Sequence, residues 1–145
     1  MDNSADCLKQ NVGALIFSKK TRRYLFLLRN GAKYAGVWGL VGGKLNKGEL
    51  IAAALYREIN EEISVDLSTH KTIPLETFTS DNKKFVYHTF IITVEDEFVP
   101  ILNEEHRGFC WVNLSDYPKP LHPGVWRTFK FKVIIDKIVT LEQLL

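Results

Sequence analysis

The chain has 145 residues, 25% of them charged and 46% hydrophobic, and a net charge of +2. That length suits a single domain over residues 1–145 with a sizeable core, and the composition is that of an ordinary globular protein. The small net charge argues against a nucleic-acid or membrane-surface binder, and no apolar run approaches membrane-spanning length.

In chain order, Met1 to Gln10 is polar and lacks the apolar core of a secretion signal. Val12–Phe17 and Tyr24–Leu28 are apolar runs of strand length joined by the polar hairpin segment Ser18–Arg23. A loop follows from Asn30-Gly31 to Gly36, then a short third strand over Val37–Val41. A helix is predicted from Glu49 to Ile63. Ala52, Tyr56, Ile59 and Ile63 form its sheet-facing stripe, widened in the first half by Ile51, Ala54 and Leu55. Ile73–Thr79 and Lys84–Val94 read as strands joined by a turn at Ser80–Lys83, and Phe109–Leu114 as another. Pro118, Pro120 and Pro123-Gly124 punctuate a loop. From about Trp126 the tail is helical by period, with Phe131, Ile134, Ile138, Leu141 and Leu145 spaced by threes and fours. Strands flanked by two amphipathic helices give an α/β sandwich around a mixed sheet. Cys7 and Cys110 lie far apart without metal-ligand spacing, and Cys110 lies in an apolar run. No disulfide framework is indicated, which fits a cytoplasmic protein.

The informative segment is Gly43 to Val65. On the predicted helix Glu58, Glu61 and Glu62 stand at i, i+3 and i+4, so their carboxylates share one face. Like charges at these spacings cost about 0.2–0.5 kcal/mol per pair, and near the C-terminal end they also oppose the helix dipole. A solvated face is the plain account of a charge run. A hard divalent cation, Mg²⁺ or Mn²⁺, held by oxygen ligands and shared with a substrate phosphate, gives the two penalties a reason.

The spacing resembles the signature of the Nudix hydrolases. It runs Gly43, five residues, Glu49, seven residues, Arg57-Glu58, Ile59, one residue, Glu61-Glu62, one residue, Ser64, Val65. Ser64 replaces the usual glycine, Val41 stands where many relatives have proline, and Leu50 where they carry a capping Ser or Thr. The resemblance implies a Nudix-type α/β/α sandwich with a mixed β-sheet between helices.

It also implies roles. Gly43, with Glu58, Glu61 and Glu62, would hold the metal, and Arg57 would orient the acids with Glu49 in support. Glu49 is equally read as a first-turn acid favouring the helix dipole. Adjacency alone does not pair Arg57 with Glu58, because neighbouring helical residues do not face one another. The general base is Glu61 within the box, or Glu104 or Glu105 outside it, Glu105 being preferred from its spacing to Trp111. The catalytic set is thus Arg57, Glu58, Glu61 and Glu105. Arg29, His122 and Trp126 are the candidates to bind substrate. Tyr34, Trp38 and Tyr87 could also stack on a base, although an aromatic in an apolar strand more often belongs to a core.

The implied activity is metal-dependent cleavage of a phosphoanhydride in a nucleoside diphosphate linked to another group. Nucleoside triphosphates, dinucleoside polyphosphates and nucleotide sugars such as ADP-ribose all fit. The expected partner is a small nucleotide, without membrane or nucleic acid, and a homodimer is left open. One alternative is a catalytically idle Nudix domain serving as a nucleotide sensor or protein-binding module, which would be expected to lose box acids that this chain keeps. Another is an RNA-end hydrolase, for which no basic groove or accessory domain is evident.

Overall fold

The structure is a computed structural model that describes residues 8–31 and 33–145. Cys7, and most of the polar N-terminal stretch, lie outside the described residues. Chain order gives strands β1 (Lys9–Ser18), β2 (Tyr24–Arg29), β3 (Trp38–Gly39) and β4 (Val41–Lys44), then helix α1 (Ile51–Ile63). Strands β5 (Thr72–Thr79), β6 (Phe85–Val94) and β7 (His106–Val112) follow, then a 3₁₀ turn and helices α2 (Pro123–Lys130) and α3 (Lys132–Leu144).

The strands form one mixed sheet in the order β3-β2-β1-β6-β5, with β4 also paired to β1 and β7 to β2. The pairing of β1 with β6 is parallel, from Lys9 opposite Phe85 to Ser18 opposite Val94, and the other pairings are antiparallel. Alternation along β1 builds a core on each face. Val12, Ala14 and Ile16 pack with Ala54, Leu55, Ile59 and Ile63 of α1. Leu15 and Phe17 pack with Val125 and Phe129 of α2 and Ile138 of α3.

Several boundaries differ from the sequence expectation. The segment Val37–Val41 divides into β3 and β4, and β7 begins at His106 rather than Phe109. Helix α1 starts at Ile51, with Leu50 as an N-cap that makes no side-chain cap bond, so Glu49 precedes the helix instead of occupying its first turn. Ala52 is exposed, because the sheet-facing stripe runs through Ala54, Leu55, Ile59 and Ile63. The tail is two helices: Phe131 is extended (φ −82°, ψ 114°) and half-exposed, ending α2 and starting α3. Cys110 is half-buried against the second core, and burial raises its thiol pKa.

At the end of α1, Ser64 adopts the left-handed conformation (φ 57°, ψ 41°) and donates its N–H to Asn60 O at 3.0 Å. The family glycine would do this without strain, whereas a residue with a Cβ costs about 1–2 kcal/mol there. The helix nevertheless turns where the glycine would turn it, so the acids behind Ser64 keep their positions.

Candidate active site

Three pieces of chain build one cavity of about 390 Å³. The first is the β4 turn. A Cβ on Gly42 would strike the carbonyl of Val12, and one on Gly43 would occupy the place of the Glu58 carboxylate. Only two successive glycines let the backbone lie this close to β1 and to the acids. The second is α1, which supplies Glu58 and Glu62. The third is the loop before β7. Its Ile101 and Asn103 amides donate to the Ile63 and Glu62 carbonyls (3.4 and 3.2 Å), satisfying acceptors that a helix end leaves free. That docking carries Glu105 back to the helix. Its amide donates to Asn103 Oδ1 (3.1 Å) and its carbonyl accepts from Asn30 N (2.8 Å).

Glu58, Glu62 and Glu105 line the cavity together with Arg29, Tyr87 and His122. Glu62 is only 3% exposed, and its Oε1 accepts the Gly42 amide at 2.7 Å. Burial, with the nearby charges of Glu105 and Glu58, pushes its carboxyl up to about 9 despite that hydrogen bond. Burial raises Glu58 also, against the opposing pull of Arg57. One ligand atom each from Glu62, Glu105 and His106 lies within 4.8 Å of the other two. A buried Glu62 crowded by Glu58 and Glu105, and a carbonyl-bearing turn held against Glu58 by the missing Cβ of Gly43, fit a hard divalent ion and its oxygen ligands.

Arg57 stands behind the acids rather than in the cavity lining. Its Nε and Nη2 clamp Glu49 (2.7 and 2.9 Å), Nη2 also reaches Lys44 O (2.8 Å), and Nη1 donates to Glu58 Oε1 (2.9 Å) and Glu61 (3.2 Å). The contact with Glu58, which adjacency alone did not establish, is made because the long side chain brings its guanidinium to a carboxylate that its own Cβ does not face. Glu49 is held down to about 2 by this clamp and by the Asn46 amide.

The remaining predicted site residues divide between the cavity and its surroundings. Glu61, with its side chain 56% exposed, stays beside Arg57 and outside the cavity lining. Arg29 and His122 line the same cavity, with Arg29 on β2 the register partner of His106 on β7. His122 caps α2 by accepting the Gly124 amide (3.1 Å), and its ring meets Tyr34 edge-on at 4.6 Å. Arg29 Nε is buried without a partner among the described residues. Trp126 is half-exposed outside the cavity lining, with Lys130 Nζ 4.3 Å from its ring centroid. Trp38 packs on the second core. His106 was not foreseen. It is 5% exposed, and burial with the charge of Arg29 lowers it to about 4. Its only sequence signal is its place next to Glu105 at the start of a strand.

A family model described as the NUDIX domain matches residues 8–131. The chain belongs to the Nudix family. As a Nudix hydrolase it acts on acid anhydrides in phosphorus-containing compounds, and the family's general use of a divalent metal agrees with the acid cluster. It is 32% identical to the dihydroneopterin triphosphate diphosphatase of Haemophilus influenzae, over 72% of this chain and 73% of that protein. It is 30% identical to the nucleoside triphosphatase NudI of Escherichia fergusonii, over 75% and 79%. Among solved structures, the MutT Nudix hydrolase of Burkholderia pseudomallei superposes with a TM-score of 0.69 at 27% identity, covering 82% of this chain and 93% of that one. No helix among the described residues is long and apolar enough to cross a membrane.

The buried acid gives the metal-free Nudix protein a pH signature. A carboxyl bound more tightly to its proton in the folded state than its ordinary 4.5 contributes stability that is present at low pH and lost as pH rises toward about 9. The lowered His106 acts oppositely between about 4 and 6.5, so the two offset one another there. From pH 6.5 to 9 stability should therefore fall, and Glu62→Gln should flatten that decline. Denaturant melts in chelator across this range check it. Adding Mg²⁺ should also reduce the slope, since an ion that binds only the folded state stabilises it.

Proposed function

We propose that this chain hydrolyses triphosphates of nucleosides or of a related heterocycle to the monophosphate and pyrophosphate, using Mg²⁺ or Mn²⁺. The observation that carries the proposal is the convergence of buried Glu62 with Glu58 and Glu105 on a cavity that Arg29 also lines. Within the phosphoanhydride class, the triphosphate is favoured because two relatives over most of this chain are named for triphosphates.

Glu58 and Glu62, with the Gly43 carbonyl, would hold the ion, and Glu61 on the exposed side of α1 would contribute once substrate arrives. The bound cation supplies neutralisation of phosphate charge and a lowered pKa for the attacking water. Glu105 takes up the proton of that water, being the cavity-lining acid carried on a loop rather than the helix. Arg57, clamped by Glu49, fixes the Glu58 carboxylate and keeps it from turning out to solvent. Arg29, whose Nε has no partner among the described residues, and His122 hold phosphate oxygens. Trp126, half-exposed beyond the cavity, is retained as an outer contact for the substrate.

The experiment is a panel of nucleoside triphosphates, dihydroneopterin triphosphate, a dinucleoside polyphosphate and ADP-ribose, compared by kcat/KM. Triphosphates should lead the panel. A clear preference for ADP-ribose or the dinucleoside polyphosphate would reject the triphosphate assignment.

A further inference from the structure

From the cavity-lining Tyr87, a ladder of neighbouring aromatic rings runs outward across β6 and β5. Tyr87 of β6 lines the cavity. Phe85, two residues earlier and therefore on the same face, has its ring centroid 6.3 Å from that of Tyr87. Phe78 of β5 is the register partner of Tyr87, and its ring lies 6.4 Å from that of Phe85. None of the three belongs to either core cluster, and all are only partly buried. A cluster of rings serving a core would be packed into it.

Two further features fix the ladder. A Cβ on Gly13 would collide with the Tyr87 hydroxyl and ring, so glycine at that position leaves room for the ring to lie across β1. At the Phe78 end of the ladder, the Arg127 guanidinium lies over the ring, 3.5 Å from its centroid, with Glu76 3.9 Å from the same guanidinium. Asn11, the register partner of Tyr87 on β1, lines the cavity beside the ladder, and its carboxamide offers both a donor and an acceptor.

We propose that Tyr87 and Phe85 form the platform on which the planar heterocycle of the substrate stacks, with Phe78, itself covered by Arg127, supporting Phe85 and with Asn11 reading the heterocycle's edge. This rests on the triphosphate hydrolysis proposed above. It sets the substrate's direction: the ring system lies toward β5 and β6, and the phosphates toward the acids and Arg29. Every base has a π-face, so the platform tolerates several bases, and specificity falls to the edge contact.

The test is steady-state kinetics of the full chain with Mg²⁺ on GTP and on inorganic tripolyphosphate, which has no ring. Phe85→Leu should lower the ratio of kcat/KM for GTP over tripolyphosphate about tenfold, chiefly through KM for GTP, and Phe85→Trp should restore it. An unchanged ratio in both Phe85→Leu and Phe78→Leu would overturn the platform. Melting temperatures show whether each variant is folded; if Phe85→Leu is not, Phe78→Leu decides by the same ratio. If wild type hydrolyses neither compound, the triphosphate proposal has failed, and the platform is then judged by calorimetric binding of GMP. Binding weakened about tenfold in the leucine variant supports it, and equal or absent binding overturns it.

Discussion

Replacing Glu62 with Gln is expected to lower kcat by about two orders of magnitude or more, the scale of losing one major electrostatic stabiliser. The substitution keeps the shape, and the glutamine oxygen can still accept the Gly42 amide that Glu62 Oε1 now accepts at 2.7 Å. What it removes is a charge at a position only 3% exposed, beside Glu58 and Glu105. The fold should therefore survive, and the metal-free variant should be at least as stable as wild type above neutral pH. Rates at saturating Mg²⁺ with a matched melting curve decide the matter. Wild-type turnover by this variant would show that Glu62 is not a ligand.

Glu105→Gln should depress kcat by about 10²–10⁴-fold with little change in substrate affinity or melting temperature, as expected when a general base is lost from a loop. Glu104→Gln, one residue away on the same loop but outside the cavity lining, should be mild. The reverse order would mean that the neighbouring acid faces the substrate. Two mild variants would return the proton to the box, where Glu61 is the first alternative. Geometry separates these in advance: Glu105 lines the cavity, while Glu61 lies outside the lining and is paired with Arg57 at 3.2 Å.

What could be seen in the sequence was whatever a local period fixes. The 3.6-residue repeat put Glu58 and Glu62 on one face, and the glycine pair ahead of the helix marked the turn that receives them. Glu105 was legible only through resemblance, because its approach depends on loop amides docking on the last carbonyls of α1, a contact that no local pattern encodes. His106 was hidden for the same reason, and Tyr87, although a candidate to stack on a base, could not be joined to Phe85 and Phe78 without the register of β5 on β6. A partly exposed aromatic in a strand looks like a core residue until its neighbours across the sheet are known. The break at Phe131 was missed because the apolar spacing runs on through it. Ala52 was misplaced because a small residue fits either face of a helix.

The most direct measurement of the central claim is ³¹P NMR of a nucleoside triphosphate incubated with the protein and Mg²⁺, and again with excess chelator. The acid cluster predicts pyrophosphate and the nucleoside monophosphate with metal, no turnover in chelator, and recovery when Mg²⁺ or Mn²⁺ is restored. Release of inorganic phosphate and the nucleoside diphosphate, or an undiminished rate in chelator, would contradict it.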